Sequence, residues 1–429
     1  WMFDLDDTSS LRVFGQYFKV DRNGAAMRGI DDQNSGMRKL SQDTVSQHEL
    51  SSMVLAAIYE SDLGYANLKI IASVQEDDVL VVRDNDRHNY LDPVLSIEGL
   101  PAGSTYQRAE FTPETSLVDT STFEINLVSN EPALNGKLDW TVGAFYMDHE
   151  IENVIRGYRD DDLDGRIKYL CDESFADPSY CYDHDYGIPG RFDIFGPNAE
   201  VDFFTDANPS RESYSVYAQT TYSLADAFRI VSGLRYSEDT FTTDVTNFLN
   251  VESFQEEGTT DEITSRVVAE VDFSEDLMGY FALAKGFKPG GSNLTFGFDD
   301  DNAPPMVFPT FEAETVDSVE FGLKSTFADG AARANIAVFS YTYENLQFQA
   351  TDPDIYRGGV ANIPESEMSG LEIEFTGFLT DSLSLDMNLA FLDSEVTSDY
   401  EVLDNVDAYP YFFGQEDIRY GLRENAKGN

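Results

Sequence analysis

The chain has 429 residues, a formal net charge of −51 and 13% aromatic residues. It is too apolar to be disordered and too acidic to bind nucleic acid. Acidity of this degree suits a surface that stays solvated at high salt, and no apolar run approaches the ~18–20 residues of a membrane helix, so any membrane span has to be made of strands.

Strand-like runs follow one another from end to end, at about 1–6, 11–20, 47–61, 66–77, 121–131, 137–156, 212–223, 227–241, 262–273, 277–287, 312–326, 332–350, 365–378 and 383–398, with another beginning near 411. Within them apolar and polar residues alternate at the period of a strand. Phe228, Ile230, Leu234 and Tyr236 alternate with Arg229, Gly233 and Arg235. Val319, Phe321 and Leu323 alternate with Glu320, Gly322 and Lys324. Leu371, Ile373 and Phe375 alternate with Glu372 and Glu374, and Leu383, Leu385, Met387, Leu389 and Phe391 with Ser384, Asp386 and Asn388.

The links alternate too. Short ones (DDTSS, SDLGY, the stretch around EPALN, LADA, SED, ADGA, LTDS) take turns with long ones at 21–46, 78–120, 157–211, 242–261, 288–311, 351–364 and 399–410. Long structureless loops count against a compact soluble domain, but a transmembrane barrel has tight turns on one rim and long loops on the other. The runs therefore predict an all-β, antiparallel transmembrane β-barrel, with Tyr146, Tyr280 and Tyr341 near run ends where an aromatic girdle belongs. A soluble sandwich or propeller would also alternate, yet no blade-length repeat is present.

Little in the chain looks catalytic. His48, His88, His149 and His184 form no metal-protease motif, and no serine sits in a nucleophile elbow. Asp160, Asp162, Asp164 and Gly165 open like a calcium loop, but Cys171 stands where the twelfth-position acid belongs, which favours a solvated acidic loop over a weak calcium site. Cys171 and Cys181 lie in a polar, tyrosine-rich stretch and fit a loop disulfide of an oxidising compartment better than a metal pair. Lys285 and Lys288, in AKGFKPGGSN, are candidates for meeting an anionic ligand where Gly286, Gly290 and Gly291 permit close backbone approach; the alternative is that the glycines only turn the strand into its loop.

The stretch YAQTTYSLADAFRIVSGLRYSEDT resembles the barrel hairpin of TonB-dependent outer-membrane receptors. GYFALAKGFKPGGSN, FEAETVDSVEFGLKSTF, ANIAVFSYTYENLQ and MSGLEIEFTGFLTDSLSLDMNLAFLDSEV follow in that family's order, and TFEINLVSNEPALNGKLDWTVGAFYMDHEIEN resembles its earlier hairpin. The resemblance covers most of residues 121–398. It implies a barrel of about 22 strands with a plugged lumen, of which residues 1–429 would supply about fourteen or fifteen, the plug lying outside this chain.

It further implies a receptor in the bacterial outer membrane, not an enzyme and without a cofactor. Such a receptor takes up a scarce, bulky ligand such as a ferric siderophore or another nutrient. It is energised by the TonB–ExbB–ExbD complex through the plug and embedded in outer-membrane lipid. Arg229, Arg235, Glu320, Lys324, Glu372 and Glu374 would face the lumen, and Arg156, Tyr158, Tyr180, Tyr182 and Tyr186 would join Lys285 and Lys288 as ligand-binding candidates. The alternatives are a secreted or surface β-rich binding protein without a pore, and a passive porin.

Overall fold

A computed structural model describes residues 1–24, 46–84, 109–160, 200–247, 252–294, 310–351, 358–380, 382–399, 401–403 and 422–424. In chain order its strands are β1 Met2–Asp4, β2 Ser9–Asn23, β3 Gln47–Asp62, β4 Ala66–Asp84, β5 Ala109–Ser129, β6 Leu138–Asp160, β7 Glu200–Ala225, β8 Phe228–Asn247, β9 Glu252–Ser274 and β10 Leu277–Lys288. There follow β11 Gly291–Ser292, β12 Thr310–Phe311, β13 Glu314–Phe327, β14 Ala332–Thr351, β15 Gly358–Thr380, β16 Leu383–Val396, β17 Glu401–Leu403 and β18 Leu422–Glu424. Fourteen of them form one antiparallel meander, β1 to β10 and then β13 to β16, each strand paired with its neighbours in the chain. The sheet is open, an incomplete barrel with β1 and β16 at its edges.

Opposed residues of an antiparallel pair share a face, so the register sorts the side chains. On β13 to β16 one rung reads Leu323, Ile336, Ile373, Leu389 and the next of the same parity Phe321, Val338, Leu371, Phe391. The rungs of the other parity that flank this pair read Lys324, Asn335, Glu374, Asn388 and Glu320, Phe339, Gly370, Leu392. The first set is an apolar outer band with no protein over it: Phe321 is 53% exposed, Val338 52% and Phe391 61%. A continuous exposed band of this kind needs hydrocarbon as its solvent. The second set faces inward, because the small ribbon formed by β11 and β12 lies on that side and touches both β8 and β15, which only the concave side of the sheet permits.

Following a single outer rung leads from Ala57 through Ala72, Phe123, Tyr146 and Tyr214 to Glu238, out of the apolar band and into acid. That climb is what strands tilted against a barrel axis produce. At the band's upper limit Tyr214 and Tyr236 both donate to Glu238, at 2.6 and 2.9 Å, and Tyr146 donates to Glu212 at 3.4 Å. These three tyrosines have an apolar ring and a wet hydroxyl, the make-up of an interfacial girdle. Tyr280 and Tyr341, expected in the same girdle, face inward instead. Tyr280 gives its hydroxyl to Glu320 at 2.5 Å, and Tyr341 stacks on Phe339 at 4.8 Å. Their parity on the strand, not their nearness to its end, decides the face.

The strands run further than their apolar alternation. β8 continues to Asn247 and β9 starts at Glu252, so most of the expected 242–261 loop is a paired hairpin. β5 likewise starts at Ala109, β7 at Glu200 and β15 at Gly358, each well before its apolar run. Past the apolar band the residues of both faces are mostly polar, so backbone pairing persists while the apolar–polar alternation disappears. At the opposite rim the reversals are tight. Ala328, Asp329 and Gly330 all take positive φ in the β13–β14 turn, closed by the Ala331 N–H donating to Ala328 O at 3.0 Å. In the β1–β2 turn the Thr8 N–H donates to the Asp6 carboxylate at 2.8 Å, and this bond, with further help from Ser9, holds the Asp6 carboxyl below its usual range.

Candidate functional site

The candidate site is the inner face. Register places Arg229, Arg235, Glu320, Lys324, Glu372 and Glu374 all on it. Strand β8 presents Arg229 between two acids of β9: its guanidinium meets Asp272 at 2.5 Å and Glu270 at 3.1 Å. Planar donors on two carboxylates fix the fork in place. Further up the same strand Arg235 lies over the rings of Tyr217, at 5.2 Å, and Phe145, at 5.8 Å. Tyr217 in turn donates to Glu124 and Asn126 two strands away, at 2.7 and 2.5 Å. Lys324 sits 5.4 Å over the ring of Tyr280, and Asn335 donates to Glu374 at 3.1 Å. The wall is therefore polar but internally paired, and its long side chains are already oriented by neighbours.

Several inner aromatic rings lie over glycines. A Cβ on Gly143 would come within 2.5 Å of the Tyr217 ring, one on Gly258 within 2.5 Å of Phe241, and one on Gly370 within 2.6 Å of Phe339. Glycine leaves the pleat bare, and the neighbouring ring fills it.

At the long-hairpin rim Lys288 is exposed on the inner side opposite Glu314, whereas Lys285 shares the outer register with Leu283 and Phe281. The ammonium of Lys285 reaches past the last β9–β10 rung to Glu262 at 2.6 Å. Arg156 has the parity of Tyr146 and Asp148, the outer side of β6. Gly290 and Gly291 do serve close approach, but to the chain's own β12: a Cβ on Gly290 would lie 2.6 Å from Phe311 O, and one on Gly291 2.6 Å from the Phe311 ring. Tyr158 and Asp160 belong to β6, but their side chains lie outside the described ones. Tyr180, Tyr182, Tyr186, Asp162, Asp164, Cys171 and Cys181 lie outside the described residues altogether. Sequence reading missed Arg211. Its partners, Asp239 at 3.7 Å and Gly290 O at 2.7 Å, are 28 and 79 residues away along the chain, and no local pattern announces them.

Residues 75–420 match the family described as TonB dependent receptor-like, beta-barrel. The chain belongs to that family. Its barrels lie in the outer membrane of Gram-negative bacteria and act as receptors, not enzymes. Among curated relatives, the probable TonB-dependent siderophore receptor PiuA of Acinetobacter baumannii is 26% identical over 297 residues, which is 66% of this chain and 37% of PiuA. The pesticin receptor of Yersinia enterocolitica is 28% identical over 200 residues, 44% of this chain and 27% of that receptor. The chain thus spans about a third of the length of these relatives. Among solved structures, the ferric yersiniabactin uptake receptor FyuA from Yersinia pestis superposes with a TM-score of 0.63 at 16% identity, covering 91% of this chain and 50% of FyuA. PiuA from Acinetobacter baumannii gives 0.63 at 17% identity, covering 100% and 58%.

In this family the tight turns face the periplasm and the long hairpins the exterior. A cysteine at Thr246, near the end of β8, is therefore expected to react with a membrane-impermeant maleimide on intact cells expressing the full-length receptor with Cys171 and Cys181 replaced by serine. One at Asp329, in the β13–β14 turn, is expected to react only after lysis. Labelling of the Asp329 site on intact cells would invert the orientation.

Proposed function

We propose that the full-length protein is a receptor that imports a scarce, bulky ligand of the ferric-siderophore class across the outer membrane, energised by the TonB–ExbB–ExbD complex. The observation that carries this reading is the pairing of an apolar outer band with a polar, internally braced inner wall in a sheet of fourteen strands. A sheet that wide closes only around a lumen too broad to fill with its own side chains. The family and the siderophore receptors among its relatives supply the cargo class. Arg229, Arg235, Glu320, Lys324, Glu372 and Glu374 brace the wall toward a plug, while Lys288 and the segment of sequence that carries Tyr158, Tyr180, Tyr182 and Tyr186 offer the recognition surface.

The test is iron-55 uptake by iron-starved cells expressing the full-length receptor, offered tris-catecholate, tris-hydroxamate and mixed phenolate chelates, with and without TonB. Saturable uptake of at least one chelate that disappears without TonB is expected. Uptake unaffected by TonB loss would indicate a passive porin, and surface binding without uptake a pore-free binding protein. In the same assay Cys171→Ser with Cys181→Ser is expected to leave the heat-modifiable gel shift of the barrel intact and to weaken uptake, since a loop staple acts locally. Unchanged uptake would remove that hairpin from recognition.

A further inference from the structure

We infer that the β11–β12 ribbon is a fixed crossbar inside the external mouth of the barrel, held from both walls, and that Arg211 and Asn293 are the residues that position it. The inference rests on the transport reading for its consequence but on geometry for its existence. On one wall Arg211 of β7 donates to Gly290 O at 2.7 Å, and the Ser292 hydroxyl meets that of Thr243 on β8 at 2.5 Å. On the other, Asn293 forms a two-way pair with Val360 of β15: its amide donates to Val360 O at 2.9 Å and its oxygen accepts from the Val360 N–H at 2.7 Å. The returning strand is tied to the same wall, since the Glu312 N–H donates to Asn362 at 2.8 Å and Gln347 of β14 donates to both Pro289 O and Glu312 O, at 2.9 and 3.0 Å.

These anchors are dry. Thr243 is 2% exposed and Asn293 5%. An amide that replaces a backbone bridge in so buried a place cannot be released without stranding a donor and an acceptor. The tight fit of Gly290 and Gly291 against β12 leaves the ribbon no slack. The bonds join β7 and β8 to β14 and β15, with β9, β10 and β13 between them in the sheet, so the ribbon works as a chord that fixes the curvature of that arc of the mouth. Cargo therefore passes beside it, and it is not a flap that opens.

The experiment uses the full-length receptor. In a Thr243→Cys, Ser292→Cys variant, with Cys171 and Cys181 replaced by serine, the sulfurs replace two hydroxyls already in contact, and a cross-link is expected to form on oxidation. Cells carrying the locked receptor are expected to take up the chelate panel at the rate of the reduced form. Separately, Asn293→Ala is expected to raise hydrogen exchange at the Val360 amide at least tenfold while residues 369–377 in the apolar band stay protected. The same substitution is expected to raise the ratio of tris-catecholate to smaller-chelate uptake, and Arg211→Ala to do likewise.

Failure of the cross-link to form would unseat the ribbon from β8. Uptake lost on locking and restored by reduction would make the ribbon a moving gate and overturn the crossbar. Unchanged protection at Val360 would overturn the role of Asn293. If no form of the receptor, wild type included, takes up any chelate, the transport reading fails while the cross-link and the exchange still decide the ribbon's seating.

Discussion

Ile373→Arg is expected to destabilise the barrel by roughly 2–4 kcal/mol, the cost of a cation at the lipid-facing midplane of a β-barrel, whereas Glu372→Gln on the next residue is expected to be nearly neutral. Ile373 sits between Ile336 and Leu389 on its rung, with Leu371 and Phe375 on either side along β15. The nearest polar rung belongs to the opposite face, so an arginine there has no partner across the sheet. Its stem could carry the guanidinium toward an interface, which puts the cost within a range and not at a single value. Glu372 stands opposite Ala337 and Ala390 on the inner face, and a glutamine keeps its size and its hydrogen-bonding ends. Equilibrium unfolding of the full-length protein reconstituted in lipid vesicles gives both numbers. Equal effects of the two substitutions would reverse the faces of β15.

The same alternation explains how much was legible beforehand. Where one face meets lipid and the other a wet lumen, period 2 is enforced on every rung, and fourteen runs match the fourteen strands of the meander. The signal ends at the hydrocarbon boundary. Segments such as EEGTTDE in β9 are paired strand with polar residues on both faces, so nothing in their composition separates strand from loop. The inner face was legible as a set of positions but not as partners. Arg229 could be assigned a side from Phe228 and Ile230, yet its acids belong to the next strand, and the register that brings Glu270 and Asp272 to it is set at the far end of the β8–β9 hairpin, where Asn247 pairs with Glu252. The crossbar was hidden for a different reason. KPGGSN reads as a strand giving way to a loop, and only the folded chain shows that its glycines accommodate Phe311 and its asparagine replaces a backbone bridge to Val360.

Gly322→Ala is the second substitution expected to carry a large effect, although it adds one methyl group to a strand with ordinary backbone angles. That methyl carbon would lie 2.2 Å from two ring atoms of Tyr280 and 2.4 Å from its hydroxyl oxygen. The ring has little room to retreat. Its hydroxyl is committed to Glu320 at 2.5 Å, and Lys324 sits over its face. Either the strand moves or the ring swings out and gives up the hydrogen bond, and overpacking of this kind costs about 1–3 kcal/mol. Gly15→Ala is the contrasting case, because its new methyl would meet a single flexible atom, Leu55 Cδ2, at 3.2 Å, and a cost of no more than a few tenths of a kcal/mol, about the scale of an ordinary surface substitution, is expected. The mechanism predicts non-additivity. In a Tyr280→Ser background the ring is gone and Gly322→Ala is expected to become nearly neutral, so a double-mutant cycle should return a coupling of the same order as the single-variant cost, about 1–3 kcal/mol. Vesicle unfolding of the four proteins measures it. A cost for Gly322→Ala that persists undiminished without the tyrosine would place the strain in the backbone of β13 and not in the contact between ring and glycine.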